Sequence, residues 1–214
     1  MEVPVTCLFY TVLGYFSGDI MYAYWLPKWF RGVDVRAYGE DHNPGAANAT
    51  VACGLPMGVM CAVMDIMKGS VPVILALHLG QLADWYMVPV VLAPVVGHGW
   101  PVLFHGKGGK AIATSFGVLI GLMPDILLAP LWAVLLLICL LFIRDHRELI
   151  LLTSALMAAG SFVLYAAPPV RVLACGVAGI LMYKHRPLRQ RTLQAASDEA
   201  GGRFPEESAS RTLP

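Results

Sequence analysis

The sequence predicts an all-α, polytopic membrane bundle of about seven transmembrane helices, some of them short, on three observations. Of 214 residues, 57% are hydrophobic and only 14% are charged, against about 25% charged in a soluble domain. The apolar residues lie in blocks instead of amphipathic alternation, more apolar surface than a soluble chain of this size encloses. Lysine and arginine gather between alternate blocks, the bias that orients membrane helices.

The first block, 3–27, is long enough to cross a hydrocarbon layer of about 30 Å. Met1-Glu2-Val3 lacks a basic n-region and no small-residue cleavage site closes the block, so it reads as a retained helix, not a signal peptide. Apolar runs then predict helices at about 51–67, 70–96, 111–123, 125–143, 149–166 and 170–184. Gly80 and Asp84 leave open a division of 70–96 into two shorter pieces. Pro124-Asp125 and Pro168-Pro169 mark tight turns between neighbouring helices, because proline stops a helix. Residues 1–191 are expected to form a single membrane-embedded domain. From 192 to 214 the composition turns to Ser, Ala, Glu, Gly and Pro, which predicts a disordered cytoplasmic tail. No internal repeat is visible.

Threading seven helices puts four basic sets on one side: Lys28, Arg31 and Arg36; Lys107 and Lys110; Arg144 and Arg147; Lys184, Arg186, Arg189 and Arg191. The other side receives Lys68 and Arg171. The expected orientation therefore has the N-terminus outside and the C-terminus cytoplasmic, in a multi-pass protein of a bacterial inner membrane. The formal net charge of +1 is spread through short loops, which speaks against a nucleic-acid partner. Cys7, Cys53, Cys61, Cys139 and Cys175 sit inside apolar runs without CxxC or Cys/His spacing and read as small hydrophobes. His42 follows Glu40-Asp41, but three adjacent side chains rarely converge on one ion, so neither a metal site nor a cofactor is expected.

Chemistry concentrates in two loops. Gly97-His98-Gly99-Trp100-Pro101 leads to Lys107-Gly108-Gly109-Lys110 and Ala113-Thr114. Glycines expose backbone N–H groups before a helix N-terminus, and two ammonium groups add full charge, an arrangement suited to a phosphate or acyl phosphate. A topological role for the lysines with a plain glycine turn explains the same residues. The run is not a Walker P-loop, since Ala111 follows Lys110. In the second loop, 39–50, Asn43, Gly45 and Asn48 suit a turn that hydrogen-bonds a polar ligand, or a long solvated connector. Outside the loops, Asp65 and Lys68 stand at helical i, i+3 spacing. Asp19, after Gly14-Tyr15-Phe16-Ser17-Gly18, is an isolated carboxylate within the first helix, costly unless it faces a polar interior. Lys68 is placed near the opposite surface, where it can snorkel to water. His185 opens the basic segment after the last helix.

In this order, the loops resemble the bacterial acyl-phosphate-dependent glycerol-3-phosphate acyltransferases of the PlsY type. Their signature GHxFPxxxxFxGGKGxAT is matched by Gly97-His98 through Ala113-Thr114. Asn43-Pro44-Gly45-Ala46-Ala47-Asn48 matches the centre of GSGNxGATNxxR. Gly32-Val33-Asp34-Val35-Arg36 and Asp65-Ile66-Met67-Lys68-Gly69 match as well, and His185-Arg186 opens the HRENI motif.

The departures are as specific. Glu40-Asp41-His42 replaces the serine-bearing start of the asparagine loop and holds one extra residue. Ala47 and Val51 stand for a threonine and an arginine, Asp19 for a small polar residue, and Ile150 for a serine. His185-Arg186-Pro187-Leu188-Arg189 lacks the motif's asparagine. One lost charge-assisted contact costs roughly 1.5–3 kcal/mol, tenfold or more in affinity.

The resemblance implies transfer of a fatty acyl group from acyl phosphate to glycerol 3-phosphate, forming lysophosphatidic acid in phospholipid synthesis. Lys107, Lys110 and His98 are the implied catalytic set, with Asn43, Gly45, Asn48, Gly108, Gly109, Thr114 and His185 binding substrate among membrane lipids. The residues leave His98 or His185 as a candidate base, while the resemblance implies that none is required, because a substrate phosphate can take the proton. Three alternatives stay open: a different small polar acceptor, a diverged lipid- or phosphate-binding protein without turnover, and a small transporter, for which no inverted halves are visible.

Overall fold

The computed structural model describes residues 2–39 and 42–186. The expected tail 192–214, the pair Glu40-Asp41 and the Pro187-Leu188-Arg189 departure lie outside the described residues. Among those described there are nine α-helices: α1 (Val3–Asp19), α2 (Tyr22–Arg31), α3 (Ala46–Cys53), α4 (Leu55–His78), α5 (Met87–Gly99), α6 (Ile112–Ile120), α7 (Leu128–Leu140), α8 (His146–Leu164) and α9 (Pro168–Lys184). Short 3₁₀ turns at Val35–Ala37, Asp84–Tyr86 and Val102–Phe104 link them.

Three segments are long and apolar enough to cross a membrane: Leu55–His78, Asp84–Phe104 and His146–Leu164. The expected first span, 3–27, is instead two helices, α1 and α2, bent by 42° between Asp19 and Tyr22, and counts as a fourth crossing only if the pair is one broken span. α6, α7 and α9 run 9, 13 and 17 residues, below the length of about 20 that a perpendicular span needs. By length and composition three of the described segments, or four with the bent pair, are full-length spans, and α6, α7 and α9 are short, as expected of some of the helices.

Polarity runs inside out, as a lipid solvent requires. Val163 and Phe142 are 86% and 82% exposed, while Asp19, Asp65, Lys68, His98, Thr114, Ser115 and His185 are buried. The main apolar core is built around Trp132, whose ring stacks on Phe116 at 4.3 Å between centroids and whose Nε1 donates to Thr153 Oγ1 at 3.2 Å.

A break expected at Lys68-Gly69 does not exist, and Lys68 does not snorkel to water but is buried inside the protein. α4 runs through both residues because each polar group there finds a partner. Pro72 has no N–H to reach the Lys68 carbonyl four residues back; Ser17 Oγ donates to that carbonyl instead, at 2.8 Å. The Lys68 ammonium donates to Ile20 O at 2.6 Å, where α1 has ended. The chain turns at 79–86, on Gly80 and Asp84, which the sequence marked only as a dividing point.

Close helix approach fixes the rest of the frame. A Cβ on Gly18 would strike the Pro94 carbonyl, and one on Gly97 the Tyr15 carbonyl, so α1 and α5 meet backbone to backbone. α4 and α6 do the same through Gly69 and Gly117. These two contacts place the end of α1, the middle of α4 and the segment after α5 side by side.

Candidate active site

The segment from His98 to Ala111 is a hook held by its own backbone. Gly106 N donates to Pro101 O at 2.8 Å, Lys107 N to Phe104 O at 3.0 Å, and Gly109 N reaches back to His98 O at 3.1 Å. His105 and Gly106 turn the chain in the left-handed region, at φ 52° and 76°. Gly108 and Gly109 are not needed for positive φ; they are needed for space. A Cβ on Gly108 would collide with the His98 carbonyl, and one on Gly109 with the His98 ring at Nε2. His98, buried at the end of α5, is thus the wall on which the glycine pair rests. Ala111 follows at φ 63°, a conformation that favours glycine, and the family motif carries glycine at this position.

The asparagine loop is organised around Asn43, whose carbonyl accepts from Gly45 N at 3.0 Å and from Asn48 Nδ2 at 2.9 Å. Gly45 caps α3, which carries Asn48 in its first turn. His42 Nδ1 lies 3.0 Å from Arg36 O. Arg36 in turn grips Asp34 through Nη2 at 2.6 Å and Nε at 3.0 Å, with its guanidinium over the Tyr24 ring. That guanidinium holds the Asp34 carboxyl below the usual carboxylate range, and the Asp34 carboxylate in turn raises the pKa of Arg36.

Two cavities lie between these loops. One, of about 400 Å³, is lined by His42, Asn43, Trp100, the backbone and side chains of Gly106–Lys110, Tyr183 and Lys184. The other, of about 380 Å³, is lined by Asn43, Gly45, Asn48, Asp65, His98, Lys110 and His146, with Ile66, Ile112 and Phe116 as apolar wall. Lys110 and Asn43 belong to both. Lys184 steadies the first cavity: its ammonium donates to Gly99 O at 2.7 Å and lies 5.0 Å from the centroid of the Trp100 ring. Asp65 touches the second and pairs with Lys68 at 2.9 Å; His98 Nδ1 stands 3.9 Å from the same carboxylate oxygen. The arrangement offers ammonium groups and backbone N–H groups beside a cavity with amide donors and an apolar wall. It suits an anion in one compartment and a polar-headed, partly apolar molecule across both.

The sequence profile of the family described as "Glycerol-3-phosphate acyltransferase" matches residues 8–195. The chain belongs to that family. A glycerol-3-phosphate acyltransferase of Myxococcus xanthus is 36% identical over 176 residues, covering 82% of this chain and 90% of the relative. That of Aquifex aeolicus is 32% identical over 181 residues, covering 84% and 91%. Among solved structures, the crystal structure of PlsY (YgiH), an integral membrane glycerol 3-phosphate acyltransferase, in its glycerol 3-phosphate form aligns with a TM-score of 0.77 at 30% identity, over 88% of this chain and 92% of that one. Its lysophosphatidic acid form gives 0.75 at 27% identity over the same shares. The protein is an integral membrane acyltransferase, with the all-α fold and family expected from its loops.

Within this acyltransferase the site residues expected from sequence fall into two groups. Lys107, Gly108, Gly109, Lys110, His98, Asn43, Gly45 and Asn48 converge on the two cavities. Thr114 and His185 are buried and line neither; Thr114 O packs on Gly69, and His185 Nδ1 lies 2.8 Å from Leu181 O. The His185 ring lies 6.3 Å from that of His146. His146, Lys184, Trp100 and Tyr183 are cavity residues that sequence reasoning passed over as topology or helix ends. Only the coincidence of four basic segments on one expected face hinted at their meeting.

Proposed function

We propose that this acyltransferase moves a fatty acyl group from an acyl phosphate to a hydroxyl of glycerol 3-phosphate, forming lysophosphatidic acid for phospholipid synthesis. The observation that carries the reading is the sharing of Lys110 and Asn43 by two adjoining cavities, one basic and one with an apolar wall. Donor and acceptor phosphates in such a pair of compartments would both lie within reach of the Lys110 ammonium. The acceptor hydroxyl oxygen attacks the acyl carbon, the carbon–oxygen bond to phosphate breaks, and inorganic phosphate leaves with the hydroxyl proton. Lys110, Lys107 and the Gly108–Gly109 amides stabilise the phosphoryl charge; the Asn43–Asn48 loop orients the acceptor; His98 supports the glycine pair and supplies no proton. The site faces the cytoplasm, with the N-terminus outside, a reading supported by the gathering of Lys107, Lys110 and Lys184 around one cavity.

A second reading, retention of acyl phosphate without glycerol 3-phosphate as acceptor, is favoured by two replaced positions. Val51, in place of the family arginine, is 68% exposed, and Ile150, in place of a serine, is buried; neither supplies a polar contact. The deciding measurement is phosphate release by the purified protein given palmitoyl phosphate, with and without glycerol 3-phosphate. Release that depends on glycerol 3-phosphate and yields lysophosphatidic acid supports the first reading. Bound palmitoyl phosphate without such release supports the second.

A further inference from the structure

Asp19 is the last residue of α1 and is fully buried. A buried carboxylate in a membrane helix bundle is costly unless its oxygens are engaged. Its Oδ1 accepts the Leu103 N–H at 3.3 Å, across 84 residues of chain, while Oδ2 is buried without a hydrogen-bond partner. Lys68, already paired with Asp65 at 2.9 Å, bonds the next carbonyl, Ile20 O, at 2.6 Å and lies within electrostatic reach of Asp19 without contacting it.

Leu103 is the centre of the 3₁₀ turn from which the lysine–glycine hook grows. The hydrogen bonds of the hook after that turn are internal until Gly109 returns to His98 O. The far end of the hook is therefore pinned by His98; its start is held by Tyr15 Oη on Trp100 O at 2.9 Å and Lys184 on Gly99 O at 2.7 Å, and the 3₁₀ turn itself by Asp19. A serine at this position, one bond shorter in reach, would leave the Leu103 amide to water or to nothing.

We infer that Asp19 is a positioning residue of this enzyme: by holding the Leu103 amide it fixes the stem of the Lys107–Lys110 hook, and through it the affinity for a phosphoryl group. The ligand part of this inference rests on the acyl phosphate reading; the positioning part does not.

The test uses the full chain in detergent, as wild type, Asp19→Ala and Asp19→Asn, with Asp19→Ser standing in if the alanine variant does not fold. Two quantities are read: amide hydrogen exchange of residues 102–110 without substrate, and binding of palmitoyl phosphate. In Asp19→Ala, exchange is expected to rise in 102–110 while peptides of α4 and α8 keep their rates. The dissociation constant for palmitoyl phosphate is expected to weaken about tenfold, the scale of one lost charge-assisted positioning contact. Asn, which keeps an acceptor oxygen in place, is expected to restore slow exchange and most of the affinity. Unchanged exchange in 102–110, or exchange rising across the whole bundle, overturns the inference. A wild type that fails to bind palmitoyl phosphate overturns the acyl phosphate reading instead, and the exchange result still decides the role of Asp19.

Discussion

The Lys68 ammonium lies 2.9 Å from Asp65 Oδ1, one turn earlier on α4, with both side chains at most 3% exposed. An ion pair so placed exchanges the hydration of both groups for each other and for the Ile20 carbonyl. Removing one partner strands the other charge and costs about 3–5 kcal/mol, whereas replacing both by apolar groups can be close to neutral. Lys68→Met is therefore expected to lower the melting temperature in detergent sharply, and Lys68→Met with Asp65→Leu to recover most of the loss. A single variant as stable as wild type would show that the pair does not hold α4 to the end of α1.

Lys110 and Lys107 are not equivalent, although the sequence presents them as a pair around two glycines. Lys110 is half-buried and borders both cavities; Lys107 is exposed and borders one. Lys110→Ala is expected to reduce kcat/KM for phosphate release by about a hundredfold or more, and Lys107→Ala by about tenfold or less, since exposed charges are screened. Equal losses would mean that both ammonium groups close on the same phosphate during turnover.

Gly109→Ala tests the packing reading of the glycine pair. Its Cβ would meet the His98 ring, which must then shift toward the second cavity that it lines. Overpacking of this kind costs about 1–3 kcal/mol. Activity is expected to fall well below the level that the lost stability explains, with palmitoyl phosphate binding weakened in parallel. Retained binding with normal melting would place the glycines outside the anion site.

The Asp34–Arg36 pair sets a pH dependence at the surface. The folded pKa of Asp34 is lowered by Arg36, so its contribution is present above the unfolded value of about 3.9 and disappears as pH falls through the folded value. With side chains 34% and 43% exposed, the pair is worth at most about 1 kcal/mol. Arg36→Gln is expected to melt slightly below wild type at pH 7, with the gap closing only below the ordinary carboxylate range. A gap that closes between pH 7 and 5 would show that the Asp34 carboxylate is not the group responsible.

What the sequence alone determined is the solvent and the family. Long apolar blocks admit only a bilayer, and the order His98, Lys107–Lys110, Asn43–Asn48 carries the loops of an acyltransferase, because those features depend on composition and local spacing. Tertiary structure alone decided that α4 runs unbroken to His78, since Lys68-Gly69-Ser70 reads as a polar interruption until Asp65, Ile20 O and Ser17 are seen to satisfy it. It also decided that the glycines at 108 and 109 serve close packing on His98, and that Lys184 and His146 belong to the cavities. Most of those partners lie ten to tens of residues away, and a hydrogen bond between Asp19 and Leu103 leaves no periodicity in the chain to read.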